Sequence, residues 1–145
     1  MKKKSFYLDS CIWLNLFKKE GDVNKGVPFW KLARDFIEKV IFSKKDEIIY
    51  SGFILKELKY ILNEKEFTEK LLFFKNEERI RFVKATEEDY SFARKLESDS
   101  KYEISFFDCL HVAMCKRLDL ILITRDKKLI EFAKHIINVR KPELT

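Results

Sequence analysis

The sequence has no glutamine, three glycines and two prolines. That scarcity of Gly and Pro excludes a collagen-like or low-complexity linker protein. No apolar run approaches the roughly 18 residues that a membrane-spanning helix needs. The opening Met1-Lys2-Lys3-Lys4 has the charge of a secretory leader, but Phe6-Tyr7-Leu8 is cut short by Asp9. No secretory signal can be built from so short an apolar stretch, so a soluble, cytoplasmic protein is expected. The cysteines are few and odd in number: Cys11, Cys109 and Cys115, with no Cys-x-x-Cys pair. Reduced thiols are expected, not a zinc site or a disulfide framework. Gly-rich phosphate loops are absent. With only His111 and His135 present, a Ser-His-Asp triad has no support. His111 reads as a hydrogen-bonded core histidine and His135 as an exposed one.

What remains is ample for a folded domain. The 145 residues are 46% hydrophobic and 37% charged. One domain spanning 1–145 is expected, and disorder is excluded. Thirty Lys and Arg against 24 Asp and Glu give a net charge of +6, with a pI near 9.1. Such an excess favours an anionic partner, nucleic acid first among them. A solvated Lys-rich surface explains the same number.

Short β-like runs alternate with helical patterns, which implies an α/β fold with a parallel sheet and helical crossovers. Strands are expected at Ser5–Leu8, Ile48–Tyr50, Ile80–Val83, Leu120–Ile123 and, weakly, Ile136–Val139. The Leu120–Ile123 run, apolar throughout, is expected at the centre of the sheet. Helices are expected over Ser10–Lys19, from Phe29, through Leu62, over Glu66–Lys75, after Thr86, over Ser105–Arg117 and over Lys127–Lys134. Residues 21–28 read as a loop.

In such sheets ligands bind outside the carboxyl ends of the strands. Asp9 directly follows the first strand, and Asp126 follows the fourth after Thr124-Arg125. Glu57 lies on the helix leaving the second strand, and Asp108 in the first turn of a helix apolar on nearly every side. Asp9 and Asp126 also suit helix N-caps, and Ser105-x-x-Asp108 suits a capping box. Glu57 is harder to explain that way. At about 100° per residue it falls about 40° from Ile61, on the rim of the apolar arc. Four converging carboxylates without paired bases repel one another, and a divalent cation such as Mg²⁺ or Mn²⁺ resolves the repulsion.

These residues resemble the PIN domain, the fold of many ribonuclease toxins of the VapC type and of RNA-processing nucleases. Phe6-Tyr7-Leu8-Asp9-Ser10 is similar to the family's first acidic motif, and Glu57 within 51–58 to its helix-borne glutamate. Phe107-Asp108-Cys109-Leu110-His111-Val112-Ala113 and Leu122-Ile123-Thr124-Arg125-Asp126 resemble its third and fourth motifs. The likeness runs from Phe6 to Leu144. It implies a three-layer α/β/α sandwich and Mg²⁺- or Mn²⁺-dependent endonucleolytic cleavage of single-stranded RNA. Asp9, Glu57, Asp108 and Asp126 would then be the catalytic and metal-ligating residues. Ser10, Thr124, Arg125 and Lys127, with Lys128, would support the ligands or the phosphate backbone. It further implies a homodimer and, for a toxin, a cognate antitoxin protein. The chain departs from the motif at Cys11, where Asn or Ser is frequent.

On this reading a cation held by the acids activates a water for in-line attack at phosphorus and offsets charge on the departing 3′ oxygen. A catalytically silent RNA-binding module of the same fold is the alternative. A phospho-receiver-like domain also gathers acids, but it wants a paired acid at the first strand, where Asp9 stands alone.

Overall fold

A computed structural model describes residues 2–21 and 23–145. Met1 of the basic opening and Asp22 of the expected loop lie outside the described residues. Five strands form the sheet: β1 (Ser5–Leu8), β2 (Glu47–Tyr50), β3 (Ile80–Phe82), β4 (Ile121–Ile123) and β5 (Val139–Arg140). Seven α-helices are described: α1 (Ser10–Phe17), α2 (Phe29–Ser43), α3 (Gly52–Ile61), α4 (Glu64–Asn76), α5 (Glu87–Asp99), α6 (Phe106–Leu118) and α7 (Lys127–Ala133). The strand order is β3-β2-β1-β4-β5, with every pairing parallel. The expected parallel α/β architecture is therefore present.

Three details differ from the expectation. The centre of the sheet is β1, and β4 sits between it and β5. Both strands are apolar enough for an interior place, so composition alone could not rank them. The last strand lies at Val139–Arg140, not Ile136–Val139. The amides of Ile136 and Ile137 both bond to the Ala133 carbonyl and prolong the turn after α7. The 21–28 loop also contains a 3-10 turn at Val23–Lys25.

The core fills the space between sheet and helices. Tyr7, Leu8, Ile48, Ile49, Leu122 and Ile123 are fully buried strand residues, packed with Ile12, Trp13, Ile54, Leu58, Leu110 and Met114 from the helices. Phe36 of α2 meets Phe6 edge-on at 5.1 Å between ring centroids. That places one of the four α2 aromatics in the core. Trp30 carries the Arg34 guanidinium instead, and Phe29 that of Arg125.

The start of α5 follows the sequence, while α4 begins at Glu64, two residues before the expected Glu66. Thr86 and Asn63 each complete a reciprocal capping box, with Asp89 and Glu66. Asp89 has a second task. Its buried carboxylate receives Arg117 Nε at 2.9 and 3.1 Å and Nη2 at 2.9 Å, bracing α5 against α6. Arg117→Ala leaves that carboxylate buried with one partner fewer. The expected cost is about 2–3 kcal/mol in a denaturant melt.

Candidate metal centre

The chain runs outward through β1, β2 and β3, then crosses back to lay β4 against the other side of β1. The direction of winding reverses between β1 and β4, the place where parallel sheets open a crevice at their carboxyl ends. Asp9 emerges there. Its amide donates to the Ile123 carbonyl at 2.9 Å, and its Oδ2 accepts from Thr124 Oγ1 at 2.9 Å. Its Oδ1 accepts from the Ser10 amide at 2.8 Å. Asp9 thus caps α1 and also faces the crevice, so the two readings of this residue are not exclusive.

Glu57 arrives from α3 and Asp108 from α6. Ligand atoms of Asp9, Glu57, Asp108 and His111 all lie within 4.8 Å of one another. Ser10 Oγ donates to Glu57 Oε2 at 3.2 Å and so links the first acid's neighbour to the second acid. Ser105 caps α6 through the Asp108 amide at 3.2 Å. No return bond from the Asp108 carboxylate completes a capping box there. That carboxylate turns to the cluster.

Burial and crowding show in the proton affinities. Asp108 is raised to about 7, first by desolvation and then by the charges of Asp9, Glu57 and Asp126. Asp9 is also raised, by burial first. Among the described residues no Lys or Arg forms an ion pair with Asp9, Glu57 or Asp108. Hard oxygen donors crowded together with no Lys or Arg to pair them suit a hard divalent cation.

His111 is wholly buried and joins the cluster by hydrogen bonding. Its Nε2 lies 2.7 Å from Glu57 Oε1 and its Nδ1 2.7 Å from the Tyr7 hydroxyl. The Tyr7 hydroxyl lies 2.7 Å from Ser51 Oγ. Burial opposes the charged imidazole, but the Glu57 hydrogen bond and the surrounding acids outweigh it and raise its proton affinity. The expected core histidine is found. Its partner Tyr7, and Ser51 beyond it, were not foreseen, although a tyrosine hydroxyl in β1 is a visible signal.

The other expected site residues are placed as follows. Asp126 is exposed and caps α7, its Oδ1 accepting from the Lys128 and Leu129 amides at 3.0 and 3.2 Å. It stands outside the compact cluster, close enough for its charge to act on Asp108. Thr124 is fully buried and bridges Asp9 to the Asp126 amide. Cys11 brings its thiol 3.5 Å from Asp9 Oδ2 and 3.6 Å from Thr124 Oγ1. Burial pushes that thiol up to about 12, so it keeps its proton and supplies a weak donor. Arg125 is committed elsewhere: Nη1 donates to Glu143 at 2.9 Å, Nε donates to Asn15 at 3.2 Å, and the guanidinium covers Phe29. It ties the C-terminal segment to α1. Lys127 and Lys128 are exposed at the start of α7, and Lys18 pairs with Glu66 at 3.4 Å.

A family model for the PIN domain matches residues 6–135. The fold is shared with solved structures at low identity, among them a toxin–antitoxin complex from Klebsiella pneumoniae (TM-score 0.63, 17% identity, covering 94% of this chain and 97% of that one). VapBC2 from Rickettsia felis, bound to a promoter DNA fragment, aligns with TM-score 0.68 at 17% identity, covering 94% of this chain and 98% of that one. DNA-bound VapBC from Salmonella typhimurium gives 0.65 at 15%, covering 96% and 98%. FitAcB from Neisseria gonorrhoeae gives 0.64 at 17%, covering 94% and 97%. No curated protein matches the sequence. The family match takes in all four acidic motifs and the crevice between β1 and β4, and this chain belongs to the PIN domain family.

Proposed function

We propose that this protein is an endoribonuclease that hydrolyses phosphodiester bonds in single-stranded RNA with Mg²⁺ or Mn²⁺, acting as the toxin of a toxin–antitoxin pair. The observation that carries the reading is the gathering of Asp9, Glu57 and Asp108 within 4.8 Å of one another, with no Lys or Arg paired to them among the described residues and the His111 imidazole bonded to Glu57. These three residues would hold the cation, and Asp126 would join them as the fourth acid. The bound cation would supply a water of lowered pKa and charge compensation for the leaving oxygen. The chain's own contribution is orientation. Thr124 and Ser10 each hold one carboxylate oxygen of Asp9 or Glu57 by donating to it. Asp108, raised to about 7 in the metal-free fold, would give up its proton on holding the cation, so metal binding is expected to release a proton near neutral pH.

Single-stranded substrate is favoured by the groove beside Glu57. About 390 Å³ in volume, it is lined by Glu57, Tyr60, Ile61, Ser105, Phe106 and Phe107. Tyr60 is 74% exposed there. An unstacked base can lie on such rings next to the acids, as a duplex base cannot. Tyr60→Ala is expected to raise KM for RNA about tenfold, with kcat little changed; the measurement is a steady-state titration with a short oligonucleotide. Lys127 and Lys128 are proposed to meet the backbone.

A homodimer and a small cognate antitoxin are further parts of this reading, and a toxin–antitoxin complex among the structures of like fold supports the antitoxin. Among the described residues no helix is long and apolar enough to cross a membrane. The test is cleavage of a labelled, unstructured RNA with Mn²⁺, with Mg²⁺ and with EDTA. Cleavage that requires the metal and spares a duplex of the same sequence supports the reading. RNA binding that is equally strong in EDTA, with no cleavage under any condition, replaces it by the silent binding module.

A further inference from the structure

Three residues that carry no acid form a buried chain behind the acids. Ser51 Oγ meets the Tyr7 hydroxyl at 2.7 Å, that hydroxyl meets His111 Nδ1 at 2.7 Å, and His111 Nε2 meets Glu57 Oε1 at 2.7 Å. All three side chains are fully buried. Each sits on the same stretch of chain as one acid. Tyr7 is on β1, two residues before Asp9. Ser51 is the residue before α3, six before Glu57. His111 is on α6, three after Asp108. The hydrogen bonds therefore connect the three elements that must keep their carboxylates at a fixed spacing.

The direction of the bonds follows from the chemistry. An ionised Glu57 only accepts, so His111 Nε2 carries the hydrogen at that contact. Tyr7 keeps its proton, because burial raises its proton affinity well above the ordinary value. Both His111 nitrogens are engaged by protein groups, so the imidazole serves Glu57 and not a cation. Three buried polar groups with no link to solvent would be costly in an apolar core unless all were satisfied, and here each satisfies the next.

We infer that Ser51, Tyr7 and His111 form a positioning strut that sets the spacing of Asp9, Glu57 and Asp108 and thereby the affinity of the site for a divalent cation. This rests on the reading that those acids hold such a cation. Tyr7 and Ser51 touch no carboxylate among the hydrogen bonds described, so their effect on the metal must travel through the strut. Groups that orient metal ligands typically govern affinity by about ten- to a hundredfold.

The test is Mn²⁺ binding by calorimetry to wild type, Tyr7→Phe, Ser51→Ala and the double variant, with Phe36→Leu as a control. Phe36 lies in α2, which carries no strut residue and none of the four site acids. Tyr7→Phe keeps the ring and removes both hydrogen bonds. It is expected to weaken Mn²⁺ about ten- to a hundredfold, and Ser51→Ala by less. Adding Ser51→Ala to Tyr7→Phe should cost nothing further, because the chain is already cut. RNA cleavage at saturating Mn²⁺ should return to within about threefold of wild type, which separates metal affinity from turnover. In the metal-free protein, nitrogen-15 spectra should show the hydrogen on His111 Nε2 in wild type and a changed ring signature in Tyr7→Phe.

Wild-type affinity in Tyr7→Phe overturns the strut and leaves the nuclease reading standing. A loss of affinity shared by Phe36→Leu, or additive losses in the double variant, also overturns it. Wild type that binds no Mn²⁺ overturns the nuclease reading and the strut with it.

Discussion

Asp108→Asn is expected to stabilise the metal-free protein while abolishing metal-dependent cleavage. The carboxyl of Asp108 is raised from 3.8 to about 7 in the fold. A raised acid binds its proton more tightly folded than unfolded. Metal-free wild type should therefore lose stability as pH rises from about 4 to about 7, and no further from this group above that. At about 1.36 kcal/mol per unit the effect amounts to a few kcal/mol. Asparagine removes the charge, so the melting temperature of Asp108→Asn at pH 8 should exceed that of wild type in EDTA by roughly 5–10 °C. Its pH dependence between 4 and 7 should be correspondingly flatter. Saturating Mn²⁺ should raise the wild type and leave the variant where it was. A variant less stable than metal-free wild type at pH 8 would show that Asp108 is structural.

Asp9→Asn separates capping from chemistry. Asparagine caps a helix as well as aspartate does, so α1 should be retained and the melting temperature should not fall. Cleavage should drop by about a hundredfold or more, the scale of losing one preorganised electrostatic group at a reacting centre. The companion variant is Asp126→Asn, which keeps the cap on α7 and removes only the charge. If Asp126 is the fourth acid, cleavage falls about tenfold or more at limiting metal. Thr124→Val should mimic a weakened Asp9, because it withdraws the 2.9 Å hydroxyl donor and leaves the carboxylate charged.

Much of this was legible in the residues. Apolar runs at 5–8, 48–50 and 120–123 announced buried strands, and Thr86-x-x-Asp89 announced the start of α5. The acids were legible because position relative to strand ends is a sequence property: Asp9 ends β1, and Glu57 rides the helix after β2. Strand order was less accessible, since β4 is the more apolar strand yet β1, with Ser5 and Tyr7, holds the centre, and only pairing distinguishes centre from flank. The last strand escaped because Ile136 and Ile137 are β-branched, yet their amides are taken by a turn. Arg125 looked like a phosphate ligand from its place beside Asp126. Its ion pair with Glu143, eighteen residues on, is a tertiary fact with no local signal. The Ser51–Tyr7–His111 chain spans 104 residues between Tyr7 and His111 and is likewise visible only in three dimensions.

The central claim is that three carboxylates on three separate elements form one cation site. Equilibrium binding of Mn²⁺ to wild type, Asp9→Asn and Asp108→Asn, measured beside metal-dependent RNA cleavage, tests it most directly. The account predicts saturable binding in wild type, weakened by at least about tenfold in each variant, with cleavage lost in parallel. Binding that is unchanged in both variants, or cleavage that persists in EDTA, would contradict it.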